Sequence, residues 1–297
     1  MSDVADDSKG TGEDGSAAPQ AENGSSALEP EDGSAAPQAE DGSSALEPVD
    51  GSAADEVAAE PEGAVAPRRG SASQAWLVAL TVTAITTAAT FFAFQPQRAG
   101  TRSILIIVAC PFLVLSAVTC LWLHYRGELR ERLGLAGGDV SKGFVLAAVL
   151  YGAAVLANRL LTAKGSPREW WVIRAYLHVG DPTVAGVYAV GLSVLLIAAC
   201  EEIVWRGLVM GTLGTVYRPT RAWLLSTALY VVAYSPTVML LRDEFAGPNP
   251  LVVGAALVGG LVWGFIASRT GRLMPVVFAH ALSTWAVVEY PVWRFLQ

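Results

Sequence analysis

The chain has 297 residues, 53% of them hydrophobic and only 16% charged, with a mean hydropathy of +0.42. That balance excludes an ordinary soluble domain and fits a polytopic membrane protein. The net charge of −7 is an average over two unlike polymers: the first 66 residues hold 17 acids against one lysine, and the rest holds 19 basic against 10 acidic residues.

Residues 1–72 read as a disordered acidic tail. Gly15-Ser16-Ala17-Ala18-Pro19-Gln20-Ala21-Glu22 returns as residues 33–40, and Gly24 to Pro30 returns as Gly42 to Pro48, a period of 18 residues. The repeat has no aromatics and hardly any large apolar side chains. It therefore buries too little surface to offset chain entropy. It also lacks the basic start and apolar run of a signal peptide.

Residues 73–297 read as a membrane domain, an all-α bundle of about seven transmembrane helices. A span needs about 20 apolar residues. Runs of that kind lie near 76–94, 103–124, 141–161, 184–204, 222–241, 251–268 and 275–293. Trp76, Trp122, Trp223 and Trp293 fall near run ends, where indole rings favour the headgroup region. Gly207 and Gly211, Ala255 and Gly259, and Gly260 and Gly264 are pairs of small residues at the four-residue spacing that lets helices approach closely. Trp170-Trp171, after Gly165-Ser166-Pro167-Arg168-Glu169, reads as an interfacial loop that also holds His178.

With seven spans, 11 lysines and arginines fall on the side of the N-terminus and 8 on the other. The excess predicts a cytoplasmic N-terminus in the cell membrane, with the lipid bilayer as a partner and no nucleic acid. Cys110, Cys120 and Cys200 lie in apolar runs with no paired spacing, so no disulfide framework is expected.

The end of the fourth run, Cys200-Glu201-Glu202-Ile203-Val204-Trp205-Arg206-Gly207, is the costly stretch. An ionisable residue at a span centre costs roughly 2.5–3.5 kcal/mol on insertion scales, so such groups face a bundle interior or a watery cavity and mark a functional site. Glu202 and Arg206 are four apart and pair along one face, with the acid N-terminal. Glu201 lies about 100° round the helix and is free for other work. The bland reading is that all three pin a helix end at the interface.

Glu201-Glu202-x-x-x-Arg206, closing an apolar helix and followed by Gly207-Leu208, resembles the first signature of the CPBP family, the CAAX proteases and bacteriocin-processing enzymes. Arg269-Thr270-Gly271-Arg272-Leu273-Met274-Pro275, leading to Phe278-Ala279-His280-Ala281-Leu282, resembles its third signature, though the family's Asn or Asp four residues on is Thr284. The second signature, Phe-x-x-x-His, is altered: Tyr230 stands at the Phe and Tyr234 at the His. The resemblance covers about residues 185–290.

What it implies is a glutamic-type intramembrane protease acting on a membrane-tethered peptide or protein. Glu201 would activate the water, and Tyr234 would share it in place of the histidine. His280, with Thr284, would donate to the oxyanion or protonate the leaving amine, while Glu202 and Arg206 orient the helix end. No cofactor is expected and no metal, since one interior histidine with two acids is too few nitrogen ligands for an ordinary zinc site. Family members cleave prenylated CAAX tails in eukaryotes and leader or sorting peptides in bacteria, and the myxosortase branch is one home for this chain. The competing reading is a non-catalytic membrane scaffold or immunity protein, with Tyr234 and Thr284 marking lost catalysis. A solute transporter is the weaker rival, since no inverted repeat is visible.

Overall fold

A computed structural model describes residues 71–180 and 187–292. The acidic repeats, Arg68, Arg69, Trp293, Arg294 and the first residues of the fourth run lie outside the described residues.

The described residues form helices throughout. The first long helix, α1 (Ala72–Ala93), turns through Pro96–Arg98 into α2 (Ser103–Tyr125). A short α3 (Leu129–Leu133) leads to α4 (Asp139–Leu161). Next come α5 (Glu169–Val179) and α6 (Val187–Glu202), which runs without a break through Ile203–Val209 into α7 (Met210–Gly214). The described residues close with α8 (Pro219–Tyr234), a single turn α9 (Thr237–Leu240), α10 (Leu251–Thr270) and α11 (Met274–Glu289). α1, α2, α4, α8 continued through α9, and α10 are each long and apolar enough to cross a membrane, and α11 is a shorter apolar helix of 16 residues. The fold is that of a multi-pass membrane protein.

Two sequence expectations need correction. Residues 169–179 are a helix and not a loop, so the buried His178 occupies its last turn. Its start carries an ordinary signal, an acid (Glu169) in the first turn just after Pro167. The fourth run does not end near residue 204 but continues to Gly214, which puts Glu201 and Glu202 in mid-run instead of near its end.

Loops that seven alternating spans would place on one side do meet. At one end, Trp76 of α1 donates to the Tyr217 hydroxyl before α8 (2.9 Å), and Arg272, just before α11, bridges Asp139 of α4 (2.8 Å). Arg272 also donates to the Gly134 carbonyl, while Leu273 N–H bonds Arg132 O (2.9 Å). At the other end, Gly100 N–H bonds His178 O (3.0 Å), and Asn249 ties Trp171 O (2.8 Å) to the turn before α10.

Close packing supplies the rest. α10 lies on α8, where Thr227 and Trp223 both donate to the Gly260 carbonyl (3.0 and 3.3 Å). α11 lies on α4 at Gly143, where an added Cβ would stand 2.4 Å from Phe278 Cβ. Gly260 and Gly264 thus form a contact stripe, whereas Ala255 is exposed and makes no such pair with Gly259. A core of Val204, Trp205, Val209, Ala222, Tyr230 and Trp263 joins these helices.

Candidate active site

The run carrying the two acids changes pitch just after them. Over Ile203–Val209 the helix widens to i→i+5 bonding, with Met210 N–H on the carbonyl of Trp205 five residues back. Neighbouring helices supply donors to this stretch: Ser116 of α2 bonds Cys200 O (3.0 Å) and Ser226 of α8 bonds Trp205 O (3.2 Å). These contacts brace the run on both sides, and such wide turns recur at functional sites. No sequence pattern announced it.

Two neighbouring helices bring side chains to the acids. From α8, Tyr234 donates to Glu201 Oε1 (2.5 Å) and Tyr230, one turn earlier, donates to Glu201 Oε2 (2.9 Å). From α11, His280 sets Nε2 3.9 Å from Glu201 Oε2 and Nδ1 2.6 Å from Glu202 Oε1. The same Glu202 oxygen takes Arg206 Nη1 at 3.0 Å, so the expected i,i+4 pair is present and the histidine shares it. Glu202 is 0% exposed, and its second oxygen has no hydrogen-bond partner among the described residues.

Aromatic rings close the cluster. Trp263 of α10 stacks on His280, with ring centroids 3.7 Å apart. The Arg206 guanidinium lies over the Tyr230 ring (4.8 Å) and near Trp263 (5.5 Å). In so dry a place these contacts replace the solvation the cation has lost.

The structure therefore brings together Glu201, Glu202, Arg206, Tyr234 and His280. Thr284 stands apart: it is half-buried one turn beyond His280 and makes no hydrogen bond to it, while Ser283 caps the His280 carbonyl (3.1 Å). Sequence reasoning missed Tyr230 and Trp263. Tyr230 had a readable signal, since two tyrosines four apart share a helix face. Trp263 had none beyond its small-residue neighbours. Among the described residues no group of three or more His, Cys, Asp or Glu side chains is placed to hold a metal ion.

Residues 182–286 match the family described as Type II CAAX prenyl endopeptidase Rce1-like. No curated protein and no solved structure matches the chain. The matched segment opens just before α6 and closes within α11, so it spans every side chain of the cluster. The helices that gather two acids, two tyrosines and a histidine into one buried cluster thus fall within the stretch that matches this family.

Proposed function

We propose that the chain is a glutamic-type intramembrane endopeptidase that hydrolyses a peptide bond in a membrane-tethered peptide or protein. One observation supports this above the others. Glu201 Oε2 and His280 Nε2 face each other at 3.9 Å, too far for a direct hydrogen bond. A water at about 2.8 Å from each fits between two such atoms. The carboxylate takes its proton as it attacks, and the imidazole, fixed through Nδ1 by Glu202, donates to the oxyanion or the leaving amine. Tyr234, half-buried on the other oxygen of Glu201, steadies the base in place of the histidine of the family's second signature. The chain then sits in the cell membrane, and the excess of lysine and arginine on the N-terminal side supports a cytoplasmic N-terminus.

The competing scaffold reading draws on Thr284, which leaves His280 without the side-chain partner the family provides. A direct experiment separates the two. The full chain is co-expressed with single-span reporters ending in a hydrophobic tail and a basic terminus, and purified protein is given a farnesylated CAAX peptide. Processing of either substrate that disappears in Glu201→Gln, with the variant still folded, supports the protease. Equal processing by Glu201→Gln and the parent chain removes the glutamic mechanism, and no processing by the parent favours the scaffold.

A further inference from the structure

The buried acids, the aromatics and the histidine form a closed ring. Tyr230 reaches Glu201 through its hydroxyl (2.9 Å) and lies under Arg206 with its ring (4.8 Å). Arg206 pairs with Glu202 (3.0 Å), Glu202 holds His280 (2.6 Å), and His280 faces Glu201 again (3.9 Å). Tyr230 is the member that joins the two acids' systems, and it is 3% exposed, edge-on to Trp205 at 5.2 Å. Tyr234 is the more open of the two phenols on Glu201.

We propose that Tyr230 is a positioning residue for Glu201: it occupies one side of Oε2, so that this oxygen's remaining acceptor direction is turned to His280 Nε2. A carboxylate oxygen has about two in-plane acceptor directions. With Tyr234 on Oε1 and Tyr230 on Oε2, rotation about the terminal bond of Glu201 would break two hydrogen bonds at once. The reactive oxygen is thereby fixed before substrate arrives, which is what preorganisation requires. The inference rests on the protease reading for its use in catalysis, while the hold on the carboxyl group is independent of it.

Infrared difference spectra of the full chain in detergent, parent minus Glu201→Gln, isolate the bands of the Glu201 carboxyl group. Tyr230→Phe should displace those bands, because one oxygen loses its donor. Replacing Tyr230 with 3-fluorotyrosine, a stronger donor of the same shape, should displace them the opposite way. Against whichever reporter the parent processes, Tyr230→Phe should lower kcat about 10–100-fold with KM little changed. Bands unmoved by both replacements overturn the proposal, even where Tyr230→Phe lowers the melting temperature, since that pattern is mere packing. If Glu201→Gln still processes the reporter, the protease reading fails, and the spectral arm alone then decides what Tyr230 holds.

Discussion

His280 is bound to the second acid and not the first: its Nδ1 lies 2.6 Å from Glu202 Oε1, while its Nε2 stays 3.9 Å from Glu201. Glu202 is therefore the common anchor of Arg206 and His280. Glu202→Gln leaves a buried guanidinium facing a neutral amide, so the expected loss is about 3–5 kcal/mol of stability, the range for breaking a buried pair. Thermal melts in detergent check this. A companion Arg206→Met in the same chain should recover part of the loss, because the stranded charge is gone.

Tyr234 sits on the oxygen of Glu201 that Tyr230 leaves free. Tyr234→Phe should slow processing of a tethered reporter by about 10–1000-fold, the range of one acid–base or oxyanion contact. Tyr234→His should retain activity, since imidazole also offers a donor on that helix face. Full activity in Tyr234→Phe would mean the phenol is a bystander.

Gly143 lets α11 lie against α4. A Cβ there meets Phe278 Cβ at 2.4 Å, Pro275 O at 3.1 Å and Ala279 N at 3.2 Å, and the last two are backbone atoms that cannot swing aside. Gly143→Ala should cost about 1–3 kcal/mol by overpacking. It should also weaken processing, because α11 carries His280. A melting temperature equal to the parent's would show that the two helices separate freely.

Asp243 shapes the turn before α10. Donation from Phe245 N–H (2.9 Å), with Ala246 N–H (3.2 Å) and Arg174 (3.3 Å) adding to it, holds its carboxyl below the ordinary carboxylate range. A carboxyl lowered on folding adds stability above its unfolded value, near 3.9, and that stability is lost as pH falls through the lowered folded value. Melts between about pH 6 and 3 should therefore show a steeper decline for the parent than for Asp243→Asn. Parallel curves would remove the turn from the acid response.

Deleting residues 2–66 should leave membrane insertion and processing intact, since the repeats hold no large apolar surface and precede the first apolar run. Membrane fractionation and the reporter assay measure both. Failed insertion of a normally expressed truncation would give the tail a structural role.

The helices were readable because apolar runs of about 20 residues leave few alternatives in a bilayer. Glu201 and Arg206 stood out because charge inside such runs is costly, whereas His280 was singled out by the resemblance of its Phe278-Ala279-His280-Ala281-Leu282 context to a family signature. What escaped depends on partners far away in sequence. The wide turn after Glu202 is braced by Ser116 and Ser226, neither of which marks the run itself. The attachment of His280 to Glu202 and not Glu201 is set by how α11 lies on α6, a packing detail below the resolution of a motif. Tyr230 was placed at a ring position of the signature, so its hydroxyl went unused. α5 was hidden by Gly165 and Pro167, residues that mark loops and helix starts alike.

The wide turn also sets how the run tolerates a change in length. Each residue of an α-helix turns the chain by about 100°. The i→i+5 stretch holds about one residue more than an ordinary helix uses for the same rotation. Removing one residue between Ile203 and Val209 would therefore let the segment relax to ordinary pitch, with everything beyond it close to its present face. Leu213 would keep its place in the core and Glu201 its place beside the two tyrosines. A deletion in the regular turns before it would rotate everything beyond by about 100°. Here one residue can be lost as it can in a loop, so this stretch is the slack link of an otherwise geared run.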